Sequence, residues 1–134
     1  MTIIDTEKKL SKNAINKLFD FLFNMNNFEK LMPSDKIEKW ESSEDQCEFT
    51  IKGMARIGLK REESQNPDWI KLSSFGKVPF NFNLKINLEE VSADETNAQI
   101  HFEGDINPFM KMMVEKPLKN FFNMLVDKAA ELKL

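Results

Sequence analysis

The chain has 134 residues, with 19 Lys and Arg against 22 Asp and Glu, so its net charge is −3. That balance offers no broad basic surface to a phosphate backbone and sets nucleic acid aside as the main ligand. A single cysteine, Cys47, excludes both an intramolecular disulfide framework and a Cys-rich structural zinc site.

Thr2 to Leu10 alternates weakly, with Ile4, Thr6, Lys8 and Leu10 on one face, and predicts an edge strand. Ser11 is the candidate N-cap of a helix over Lys12 to Phe23, in which Ile15, Leu18, Phe19 and Leu22 fall at helical spacing. After NMNN, a second short helix over Asn27 to Leu31 brings Phe28, Leu31 and Met32 to one side, and Pro33 closes it.

From Asp35 the period changes from helical to two. Lys36 to Glu41 carries Ile37 and Trp40. Gln46 to Lys52 sets Cys47, Phe49 and Ile51 against Glu48, Thr50 and Lys52, the pattern of a sheet with one wet face. Ala55, Ile57 and Leu59 continue it after Gly53, and Ile70, Leu72 and Ser74 follow the turn SQNPD. Phe80, Phe82, Leu84, Ile86 and Leu88 form the most regular strand, and Ala98, Ile100, Phe102, Gly104 and Ile106 the last. Short turns between consecutive strands imply an antiparallel meander.

Asn107 and Pro108 then predict the cap and first residue of a long helix. Met110, Met113, Val114, Leu118, Phe121, Phe122, Leu125, Val126, Ala129 and Leu132 give it one apolar stripe. Over Asn107 to Leu134 such a helix is roughly 40 Å long. Pro117 lies inside it and opens or kinks it near Val114.

The expected architecture is α+β: a curved antiparallel sheet of about seven strands, two short helices after the first, and a long helix across it. A twisted sheet gripping so long a helix cannot meet it evenly, so large side chains or a ligand must fill the gap. Phe occurs 12 times, Met 8 times and Tyr never, so the filling is oily and carries no phenolic hydroxyl.

Hydrophobic residues at 41% and charged residues at 31% describe a globular chain, with one domain expected over residues 1–134. MTIIDTEKKL puts charges where a signal peptide needs its apolar core, and no stretch approaches the ~18 apolar residues of a membrane span. The expected location is the cytoplasm.

The order of elements, with DINPFMKMMVEKPL from Asp105 to Leu118, resembles the helix-grip fold of the START/SRPBCC superfamily. More narrowly, it is similar to bacterial SRPBCC proteins related to polyketide cyclase/dehydrase and lipid-transport domains. NAINKLFDFLFNMNNFEKLMP from Asn13 to Pro33 resembles the family's first helical pair, and FTIKGMARIGLK from Phe49 to Lys60 its third and fourth strands. The resemblance covers essentially the whole chain and implies a fold that hosts carriers, cyclases, hydrolases and chaperone activators.

Little in the residues points to catalysis. His101 is out of phase with Ile100 and Phe102 and is expected to face solvent, and no spacing of Cys, His, Asp and Glu suggests a metal centre. Cys47 is in the inward phase, where a thiol acts as a small hydrophobe. Inward polar groups reduce to Ser74 and Cys47, with Thr50 and Asn83 joining them only if a bulge shifts the register.

The leading expectation is a binder or carrier of an apolar small molecule or lipid, without catalytic residues, cofactor or metal. Its wall is expected from Phe49, Ile57, Leu72, Phe82, Leu84, Ile100, Phe102, Met110, Met113, Val114 and Phe121, with Phe28 and Met32 at the mouth. The alternatives are a polyketide cyclase/dehydrase-like enzyme, which needs an inward polar pair, and a chaperone-activator-like interaction module using the outer sheet face around Lys52 and Lys60.

Overall fold

Alternation of apolar and polar residues becomes one open antiparallel sheet in the computed structural model, which describes residues 1–134. The meander runs through β3 (Ile37–Ser42), β4 (Gln46–Ile51), β5 (Ala55–Gln65), β6 (Trp69–Ser74), β7 (Phe82–Ser92) and β8 (Glu95–Gly104), each paired with the next. β1 (Thr2–Asp5) and β2 (Lys9–Ser11) both pair with β8 along its other side. The strand count is eight, because the N-terminal stretch is two strands where one was expected.

The split has a local cause. β1 ends at the pair Asp5–His101 and β2 begins at Lys9–Ala98, so three residues of one chain oppose two of the other. Thr6 repairs the break: its N–H donates to the Ile100 carbonyl at 3.0 Å, and its hydroxyl accepts from the Ile100 N–H at 2.9 Å. The extra residue reverses the phase, leaving Leu10 exposed and Ser11 buried.

A second irregularity explains β3. Ile37 and Trp40 are three apart, which in a regular strand sets them on opposite faces. Lys39 has φ of 55° and lies within a register shift between Glu38 and Glu41, so both apolar side chains pack against the core.

Helix α1 (Ile15–Phe23) buries Ile15, Leu18, Phe19 and Leu22, and a 3-10 helix (Met25–Leu31) buries Met25, Phe28 and Leu31. Ser11 is not the cap: Ala14 holds that position without a side-chain bond, while the Ser11 hydroxyl accepts from Asn13 Nδ2 at 2.8 Å. Arg61 on β5 donates to the Phe23 and Glu44 carbonyls, which sets a cation at the C-terminal end of α1.

Helix α2 (Pro108–Glu131) runs without interruption through Pro117. Asn107 caps it, its side-chain oxygen accepting from the Met110 N–H at 2.9 Å. Buried Asn13 holds the far end: Nδ2 donates to the Leu132 carbonyl at 2.8 Å, and Oδ1 accepts from the Leu134 N–H at 2.9 Å. Between these anchors α2 packs against β1, β2, β8 and the 3-10 helix, over a core of 30 buried apolar residues.

Candidate ligand-binding site

The inward rings of β4, β7, β8 and α2 touch in a row. Trp40 stacks on Phe49 at 5.7 Å, Phe49 on Phe121 at 5.9 Å, and Phe121 meets Phe122 edge-on at 6.1 Å. Phe122 reaches Phe102 at 5.2 Å, Phe102 stacks on Phe82 at 5.5 Å, and Phe80 meets Phe82 edge-on at 5.9 Å. This aromatic row fills the concavity of the sheet.

The space left beneath it is a void of about 10 Å³, lined only by apolar residues. A water needs roughly 10 to 15 Å³ and two or more polar partners, and this wall supplies none, so the void is dry. The expected deep cavity is therefore closed: Phe122, Phe80, Leu118 and Leu125, absent from the expected wall, complete the packing around Phe121.

The larger space lies outside this seal. A groove of about 430 Å³ runs between the middle of α2, from Met113 to Met124, and the β4–β5 turn. Ile51, Met54, Met113, Val114, Phe121 and Met124 supply apolar surface, with Pro117 and Gly53 beside them, and Lys36, Lys52 and Asn120 supply its polar groups. Gly53 turns the chain there with φ of 76°, a conformation that suits a residue without Cβ. Ile51 and Phe121 line both groove and void, so they are the wall between them.

Burial along α2 changes at Pro117. Leu118 is 1% exposed, whereas Phe109, Met112 and Met113 are 74%, 88% and 63% exposed. The apolar stripe was expected to be covered from Met110 onward; instead Met113 stands open and Met110 and Val114 are half-buried. The elements packed against α2, among them β1, β2, β8 and the 3-10 helix, leave these side chains uncovered.

The expected wall residues divide between the two spaces, with Phe121 bordering both and Met110 neither. Phe49, Ile57, Phe82, Phe102 and Phe121 border the void, while Met113 and Val114 border the groove. Leu72, Leu84 and Ile100 are buried in the core and border neither space. Phe28 and Met32, expected at the mouth, are 1% and 5% exposed and sealed inside, because the 3-10 helix turns both toward the sheet. Lys52, expected on the outer sheet face, lines the groove instead, because it lies past the end of β4; Lys36, Met54, Asn120 and Met124 carried no signal, since each lies at a strand end or off the apolar stripe.

Every buried side-chain nitrogen and oxygen has a hydrogen-bond partner. Ser74 accepts from the Phe82 N–H at 3.0 Å, and Thr96 donates to the Asn13 carbonyl at 2.8 Å. Burial pushes the Cys47 thiol up to about 12, with Glu48 adding to the shift, so it stays protonated. His101 is on the outer face of the sheet between Asp5, 2.5 Å from Nδ1, and Glu103, 3.0 Å from Nε2. No cluster of three His, Cys, Asp or Glu side chains could hold a metal ion, and no helix is long and apolar enough to cross a membrane.

No protein-family model and no curated protein matches the chain. Solved structures do. Norcoclaurine synthase from Thalictrum flavum superposes with a TM-score of 0.75 at 12% identity, covering 97% of this chain and 84% of that one. TTHA0849 from Thermus thermophilus gives 0.74 at 10% identity, covering 97% and 95%. The synthase in complex with dopamine and hydroxybenzaldehyde gives 0.68 at 13% identity, covering 99% and 88%. These likenesses establish the helix-grip, Bet v1/SRPBCC-like fold. At such identities they establish the fold alone.

Proposed function

We propose that the chain binds an apolar or lipid-like small molecule in the groove between α2 and the β4–β5 turn, and does not transform it. The supporting observation is the apolar lining of the groove: Ile51, Met54, Met113, Val114, Phe121 and Met124 border a space of about 430 Å³, whereas the void beneath the rings holds about 10 Å³. Exposed Met113 and half-buried Val114 leave apolar surface on α2 that a ligand would cover. That a synthase of the same fold is solved with two small molecules agrees with small-molecule binding on this scaffold. The cyclase-like alternative wants an inward polar pair, and the void has no polar lining.

Covering roughly 300 Å² of apolar surface is worth about 7 kcal/mol, against association costs of about 4 kcal/mol or more. Apolar burial alone therefore gives weak binding. The test is fluorescence titration with Nile red, a neutral apolar probe, on the native chain and on Val114→Trp, which fills the groove. Saturable binding to the native chain that Val114→Trp removes supports the proposal. Absence of binding, or binding indifferent to the substitution, overturns it.

A further inference from the structure

Every charged side chain that lines the groove is positive. Lys36 and Lys52 sit side by side, the Lys52 N–H donating to the Lys36 carbonyl at 2.9 Å where β4 ends. Neither ammonium has a carboxylate within 4.0 Å, as holds for most lysines of the chain, so both are free to meet a ligand. The chain as a whole carries −3, so two free cations beside one apolar trough run against its average. At the opposite rim Met113 is 63% exposed, and Phe109 and Met112 extend the apolar surface of α2 beyond it. The trough thus has a cationic side and an oily side.

We propose that the ligand of this groove is a single-chain amphiphile with an anionic head, free in solution. Its head sits at Lys36 and Lys52, and its tail lies against the apolar surface supplied by Met54, Met113, Val114 and Met124. This inference rests on the groove being the binding site. Ammonium groups on flexible stems act as point charges and do not impose the paired geometry of a guanidinium. Carboxylate and phosphate heads therefore share the required chemistry. The charge contribution is exposed and screened by salt.

The experiment is calorimetric titration at low ionic strength with dodecanoate, dodecyl phosphate, dodecanol and dodecyltrimethylammonium, each below its micelle concentration. The native chain and the double variant Lys36→Gln, Lys52→Gln are compared. The proposal expects at least one anion to bind about fivefold to tenfold tighter than dodecanol, the cation to bind most weakly, and the difference to vanish in the double variant. Dodecanoate ahead of dodecyl phosphate assigns a carboxylate head, and the reverse assigns a phosphate. Equal affinity for dodecanol and both anions, or a preference that survives the double substitution, overturns the anionic head while leaving the groove as an apolar site. Binding of none of the four overturns the head and the groove together.

Discussion

Phe121 on α2 stacks on Phe49 of β4 with ring centroids 5.9 Å apart, and this stack stands between a dry interior and an open groove. The fold therefore does not expose its bowl in this conformation; it offers a trough beside it. The Phe121 ring, with Ile51, holds the two spaces apart.

Replacing that ring tests the partition. Phe121→Ala should cost about 3 to 5 kcal/mol in urea unfolding, because the transfer energy of the ring is lost and a cavity remains. The cavity would join the groove, so Nile red should raise the melting temperature of the variant more than that of the native chain. A loss below about 1 kcal/mol would show that the ring packs poorly where it is.

Gly58, in the first half of β5, has no room for a side chain. A Cβ there would run into the backbone carbonyl oxygen of Phe75, and the Phe75 N–H donates to the Gly58 carbonyl at 3.2 Å, tying the two segments together. Gly58→Ala should destabilise by about 1 to 3 kcal/mol through forced backbone displacement. An unchanged urea midpoint would contradict this close approach.

His101 joins β1 to β8 through carboxylates on both sides. Its hydrogen bond to Glu103, then that to Asp5, raises its pKa above the ordinary 6.5. The groups sharing that outer face, Lys71, Asn83 and Lys85, do not reverse the direction. Because the folded value lies above the unfolded one, the stabilisation is complete below pH ~6.5 and is lost as pH rises through the folded value. Titration of the His101 ring by NMR should show the raised midpoint, and the pair Asp5→Asn, Glu103→Gln should lower it. A native midpoint at or below 6.5 would refute the clasp.

Cys47, 1% exposed and raised to about 12, should not react with a thiol-specific disulfide reagent in the folded chain. Reaction should follow global unfolding in urea. Prompt stoichiometric labelling without denaturant would show that the β4 end of the core opens on its own.

The fold was legible where a single physical rule decides. Asn107 followed by Pro108 marks a capped helix start, and regular alternation from Phe82 to Leu88 marks a strand with one buried face. The break after Asp5 and the bulge at Lys39 were not legible, because backbone irregularity there comes from pairing with β8 and β4. The site failed for a different reason. Periodicity says which face of a helix is apolar, and it does not say how far the partner extends beneath it. Thus Met113 belongs to the stripe and yet lies open, while Lys36 and Lys52 acquire meaning only when β3 and β4 pair. Pattern also could not reveal that Phe122 and Phe80 would complete the filling of the bowl.

The most direct measurement is methyl NMR of the eight methionines during titration with dodecanoate. Met54, Met113 and Met124 line the groove, whereas Met25 is fully buried in the 3-10 helix, outside both groove and void. Shifts concentrated at Met54, Met113 and Met124, with Met25 unmoved, are the predicted result. Saturating addition that leaves those three methyls in place, or that moves Met25 and Met32 instead, would contradict a ligand site between the middle of α2 and the β4–β5 turn.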